Sequence, residues 1–228
     1  GPLSADSAMK LYNDEPDQVV FGFINGYCMA AFRGTVLSSW NDMFQNVRLG
    51  DRSVCQNDVC CNVEVGFYAG YEASYQDELE QQIRACAASY CGEETCPVVL
   101  TGASQGGAIA AAAAIHLNDL DPTVITFGQP PTIDAPCQLI NSDKFFRFEN
   151  SRVGNRGTTY DPVPYLPYPA SLFGHQIMLG EDPTGVAYIG KDTQVSFSPW
   201  DAANGFATHR LQSQAGYLKR IESLASYY

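Results

Sequence analysis

Ser104 stands between Gly102 and Gly106 in the run Thr101 to Ala108, TGASQGGA, and this G-x-S-x-G pattern has the spacing of a nucleophile elbow. The chemistry it would support is attack by a serine hydroxyl on an acyl carbon. In such an elbow the serine occupies a strained turn that lifts its hydroxyl out of a sheet edge, and the glycines remove side chains that would collide with neighbouring backbone. A hydroxyl is a poor nucleophile near neutral pH. It needs a base, an acid to orient that base, and donors for the oxyanion.

The chain holds three histidines, His116, His175 and His209. His116 lies in the run that follows the serine, about 15 Å or more away by helical rise, and cannot reach it. His175 starts an apolar run, Ile177 to Leu179, whereas His209 stands just before a final amphipathic segment. The acid candidate is Asp161, which opens Asp161-Pro162-Val163-Pro164-Tyr165-Leu166-Pro167, where the prolines stiffen the backbone and hold Asp161 extended. Ser104, Asp161 and His209 then occur in the chain order of an α/β-hydrolase triad, which favours His209 over His175 as the base.

The elements around these residues fit that assignment. Pro97 to Leu100 reads as a buried strand and Ala108 to Leu117 as a helix, the strand–turn–helix context the elbow requires. Val19 to Phe23 and Tyr27 to Phe32 flank Ile24-Asn25-Gly26, a hairpin signal that pairs them antiparallel. Cysteines staple a loop from Cys55 to Cys61. Tyr71, Tyr75, Leu79, Ile83 and Cys86 recur at helical spacing, with Ser74 and Asp77 suited to the N-terminal end. Thr123 to Phe127 and Lys144 to Glu149 read as further strands, and Asn150 to Tyr168 as a long polar, then proline-rich, loop. From His209 onward, Leu211, Ala215, Leu218, Ile221 and Leu224 mark a last helix. Such alternation predicts a mostly parallel central sheet covered by helices on both faces, with an antiparallel N-terminal hairpin.

Composition narrows the class. No linker, repeat or low-complexity tract divides the 228 residues, so residues 1–228 are expected to form a single domain, with Gly1-Pro2 a tag remnant. The longest apolar stretch, Ala108 to Ile115, is too short for a transmembrane segment. A formal charge of −12 argues against nucleic acid as a partner. The eight cysteines are even in number and form no C-x-x-C pair. Disulfides in an oxidising, secreted setting are expected rather than a metal site, and the pairing stays open.

Ala31-Phe32-Arg33-Gly34-Thr35, the Gly102 to Gly107 elbow, Phe127-Gly128-Gln129-Pro130 and the Asp161 to Pro167 run together resemble the class 3 (fungal-type) lipase family in order and spacing, from about residue 19 to residue 220. The resemblance implies an α/β-hydrolase fold and a serine carboxylic-ester hydrolase that acts on acylglycerols or related esters, with transient contact at a lipid interface. It also implies that Ser104 is the nucleophile, Asp161 the orienting acid, His209 the base, and Thr35 with the Gln105 amide the oxyanion hole. Residues 36–46 correspond to the family's lid, and Trp40, Met43 and Phe44 become substrate-binding candidates beside Val36 and Leu37. Every catalytic role then has an occupant, and neither a metal nor an organic cofactor is expected.

Ala103 and Gln105 depart from the family's usual histidine and leucine, and the loop Glu149 to Tyr160 is longer and more basic, with Arg152 and Arg156. The alternatives on the same fold are a feruloyl or other polysaccharide-ester esterase and a non-catalytic interaction protein.

Overall fold

The computed structural model describes residues 10–14, 17–34, 50–89, 95–154, 157–165, 170–180 and 186–195, together with Tyr217 and Ile221. Its main sheet runs β1 (Lys10–Asp14), β2 (Asp17–Ile24), β3 (Tyr27–Phe32), β6 (Val98–Ala103), β7 (Thr123–Phe127), β8 (Phe145–Gly154), β10 (Ala170–Leu179) and β11 (Val186–Val195), and β9 (Gly157–Tyr160) pairs with β8. β4 (Asp51–Gln56) and β5 (Val59–Glu64) form a separate two-stranded sheet. The central strands β3, β6, β7, β8 and β10 are parallel neighbours, flanked by antiparallel pairings at both ends. The result is a mixed, mostly parallel sheet with helices and an antiparallel N-terminal hairpin.

The expected hairpin joins β2 to β3 through Asn25-Gly26, whose positive φ values of 50° and 89° match the right-handed twist of the strands. In β3, Cys28, Ala30 and Phe32 are buried at every second residue. They face α1 (Val65–Ser74) and α2 (Gln76–Ser89), where the rings of Tyr71 and Tyr75 lie 6.3 and 5.5 Å from that of Phe32.

Here the structure corrects the reading of one helix over Tyr71 to Cys86. Two helices meet at Tyr75, where the backbone leaves helical values with φ −133°. Glu64 caps the first by accepting the Phe67 amide at 2.8 Å, and Ser74 is its last residue.

The stapled loop at Cys55 is in fact the β4–β5 hairpin, with Cys55 directly opposite Cys60 and disulfide-bonded to it. Cys28–Cys86 ties β3 to α2, and Cys61–Cys137 ties β5 to the segment after β7. Cys96 is disulfide-bonded as well, and no described cysteine is free.

The segment predicted as a loop from Asn150 to Tyr168 begins as sheet. β8 continues to Gly154 and turns back as β9, pairing Ser151 with Tyr160 and Gly154 with Gly157. Polar residues line this hairpin, so hydropathy alone does not reveal it, but its backbone groups satisfy one another across the ladder. Strands β1 and β11 form the two edges of the sheet.

The helix after the elbow, α3 (Gln105–His116), runs against the middle of the sheet with Ala108 to Ile115 all buried. Its alanines allow a close approach. A Cβ placed on Gly107 would come within 3.2 Å of the Thr126 Cβ, so α3 covers the Thr126 face of β7. The next residue, Phe127, points to the opposite face and meets Tyr217, a residue of helical backbone, at 6.0 Å between ring centroids. Of the predicted last helix, Tyr217 and Ile221 are described, and both are helical.

Candidate active site

β6 ends at Ala103, and the chain turns at Ser104 with φ 56° and ψ −129° before α3 begins at Gln105. A positive φ is costly for a serine and persists only where its surroundings enforce it. Two close approaches do so. A Cβ on Gly102 would lie 2.3 Å from the Gly106 carbonyl carbon, and one on Gly106 would lie 2.3 Å from the Phe32 oxygen. Only hydrogen in place of a side chain lets β3, β6 and the first turn of α3 meet here.

The Ser104 amide donates to the Phe127 oxygen at 2.8 Å, and the Gly107 amide donates back to the Ser104 oxygen at 3.0 Å. The side chain is treated differently. Ser104 is buried, yet its Oγ has no hydrogen-bond partner among the described residues. Leaving a buried hydroxyl unpaired is unfavourable, and such groups gather where chemistry needs them. Gln105 opens α3, so its amide lies at the positive end of the helix dipole.

From Ser104 the strand ends form a staircase. Ser104 bonds to Phe127 on β7, the Gly128 amide donates to Phe148 on β8 at 2.9 Å, and the Asp161 amide donates to the Asn150 oxygen at 2.9 Å. Asp161 therefore reaches the same edge of the sheet as Ser104, delivered by the β8–β9 hairpin rather than by an irregular loop. Its carboxylate is fully buried. Oδ1 accepts the Val163 amide at 3.0 Å, and Oδ2 accepts the Tyr217 hydroxyl at 2.6 Å. Burial and the charge of Asp161 push the Tyr217 phenol well above its ordinary value, which keeps it a donor.

Behind Asp161 lies a buried polar cluster. Glu149 accepts from Arg147 Nη2 at 3.1 Å through Oε1, and from the Tyr165 hydroxyl at 2.5 Å and Gln176 Nε2 at 2.7 Å through Oε2. Burial pushes the Glu149 carboxyl up, opposed by the Arg147 guanidinium and the two donated hydrogen bonds. Among the described residues, no group of His, Cys, Asp and Glu side chains is placed to hold a metal ion.

Of the other histidines, His116 closes α3, stacked on Tyr68 and 3.4 Å from Glu80. His175 pairs in register with Phe146 near the start of β8, stacks on its ring, and shares a 2.9 Å contact through Nδ1 with the Tyr188 hydroxyl. Three strand spacings, about 14 Å of sheet, separate β10 from β6, and His175 faces Tyr188, Phe146 and Asp143 instead of the elbow. Thr35, Trp40, Met43, Phe44 and His209 lie outside the described residues.

Sequence reading missed Tyr217, because nothing local couples a helical tyrosine to an aspartate fifty-six positions earlier. It also passed over Arg147 and Glu149. Their signal was present: charges alternate with phenylalanine in Phe146-Arg147-Phe148-Glu149, where a buried strand would carry apolar residues.

A parallel sheet with a strained serine turn into a helix defines an α/β-hydrolase built for nucleophilic chemistry. Residues 29–170 match the family described as Lipase (class 3), and the chain belongs to that family; it is a serine ester hydrolase. A comparison with curated proteins finds no match.

Solved structures share the fold. A Rhizomucor miehei triacylglyceride lipase is 21% identical with a TM-score of 0.60, over 86% of this chain and 79% of that one. The Lip2 lipase of Yarrowia lipolytica is 18% identical with a TM-score of 0.66, over 88% and 77%. A triacylglycerol lipase described as having a serine protease triad at its catalytic centre is 20% identical with a TM-score of 0.58, over 88% and 80%.

Proposed function

We propose that this protein is a secreted carboxylic-ester hydrolase of the acylglycerol lipase or esterase type, working through an acyl-enzyme on Ser104. The observation that carries this reading is Ser104 itself: a positive-φ residue at a strand end, its buried hydroxyl unpartnered among the described residues, at the same sheet edge as a buried, doubly hydrogen-bonded Asp161.

In the proposed cycle His209 takes the Ser104 proton as Oγ attacks the ester carbonyl. The carbonyl electrons move to oxygen, and the Gln105 amide with Thr35 stabilises the oxyanion. His209 then returns the proton to the departing alcohol, leaving acylated Ser104. Water, deprotonated by the same imidazole, attacks the acyl carbon, and the bond to Ser104 Oγ breaks as the imidazolium returns the proton to that oxygen, releasing the acid. Asp161 holds the imidazole tautomer throughout. β6 and β8 are two strand spacings apart, about 10 Å, a gap that a serine, an imidazole and a carboxylate can span together. Trp40, Met43 and Phe44 supply an apolar flap for the acyl chain. The disulfides suit an oxidising compartment and support secretion.

Labelling with a fluorophosphonate, followed by peptide mapping, tests the reading. Modification of Ser104, absent in Ser104→Ala, is the expected result. Labelling at another serine, or wild-type turnover by Ser104→Ala, would sink it.

A further inference from the structure

We propose that Glu149 is a positioning residue, whose carboxylate, gripped by Arg147, Tyr165 and Gln176, clamps the turn Asp161 to Tyr165 onto the end of β8 and so aims the Asp161 carboxylate. The inference rests on the reading of Asp161 as the orienting acid.

The turn is tied at both ends to adjacent residues of one strand. At its start the Asp161 amide bonds to Asn150 at 2.9 Å, and at its finish the Tyr165 hydroxyl bonds to Glu149 at 2.5 Å. Between these ties the Val163 amide holds Asp161 Oδ1 and the Tyr165 amide donates to the Pro162 oxygen at 3.0 Å. Pro162 and Pro164 fix two of the remaining backbone angles. Released from Glu149, the far end of the turn would pivot about Asn150, and the carboxylate would swing with it.

The cluster is a poor way to gain stability alone. Arg147, Glu149, Gln176 and Tyr165 are all buried, and Arg147 Nε has no partner among the described residues. Taking an ion pair out of water costs about as much as the pairing returns, and apolar residues of similar size often serve a fold as well or better. The same buried face of the strand carries an apolar residue at Phe145. Hydrogen bonds supply what apolar contacts lack, namely direction.

The charges also compensate. Glu149 would repel Asp161, but Arg147 lies against it, and Asp192 on β11 acts on Arg147 in turn. Tyr165 and Tyr217 are the phenolic donors around the two carboxylates. Gln176 is held beside Arg147 by the β8–β10 register.

Two variants test the clamp: Tyr165→Phe, which removes one hydroxyl, and Arg147→Met with Glu149→Leu, which replaces the ion pair by apolar bulk. The readouts are kcat and KM on a soluble short-chain aryl ester, the rate of fluorophosphonate labelling at Ser104, and the melting temperature. The expected result is a fall of about tenfold in kcat and in labelling rate, with KM within about twofold and the double variant melting near the wild type. Wild-type kcat and labelling in either variant would reduce the cluster to packing and overturn the proposal. Should the double variant fail to fold, Tyr165→Phe decides by itself. Failure of the wild type to label at Ser104 would overturn the hydrolase mechanism instead, and the clamp with it.

Discussion

The hydroxyl of Tyr217 lies 2.6 Å from Asp161 Oδ2 and accepts the Asn150 amide at 3.1 Å. One phenol thus joins Tyr217 to Asp161 and to β8. Tyr217 is eight positions beyond His209 in the chain. Tyr217→Phe should lower kcat about tenfold with little change in KM, because it removes a donor to Asp161 and leaves the Asn150 amide without that acceptor. Unfolding should become easier by about 1–3 kcal/mol. Steady-state kinetics and urea denaturation on the same sample check both.

Kinetics of two variants tell the candidate bases apart. His209→Ala should reduce kcat on the order of 10⁴-fold or more. His175→Ala removes a ring stack on Phe146 and the contact with Tyr188, so its expected cost is about 1 kcal/mol of stability with kcat nearly unchanged. If His175→Ala were the inactive variant, the base would have been misassigned while Ser104 and Asp161 stood.

In the chain Thr35 follows Arg33-Gly34, just past the end of β3, the strand that pairs with β6. Thr35→Val should lower kcat by about 10² to 10³ with KM little altered, as loss of an oxyanion donor does. An effect confined to KM would make Thr35 a contact for bound substrate rather than for the transition state.

The disulfides differ in what they constrain. Cys28–Cys86 closes 58 residues of chain and Cys55–Cys60 only five. From loop entropy, removing the first should cost about 4 kcal/mol and removing the second about 2 kcal/mol. Denaturant unfolding of the paired Cys→Ala variants measures the difference, and non-reducing peptide mapping checks the pairings themselves.

What the amino-acid sequence determined by itself was whatever depends on neighbours along the chain. Gly102, Ser104 and Gly106 announce the elbow because a strained turn demands particular residue types at particular spacings. Asn25-Gly26 announces its hairpin for the same reason, and the alternation of apolar runs announces a parallel sheet. Asp161 was legible through its prolines, which act on local backbone angles.

Tertiary structure alone decided what depends on approach through space. The helix break at Tyr75 leaves no mark on the helical spacing of Tyr71, Tyr75, Leu79 and Ile83, and the β8–β9 hairpin forms because polar strands can satisfy each other's backbone groups. Strand order places β10, and His175 with it, three strands from β6. The Tyr217 bond to Asp161 and the grip of Arg147, Tyr165 and Gln176 on Glu149 join residues that no local pattern links. Periodicity records which residues are apolar. Which buried polar groups find one another is settled only when the strands are laid side by side.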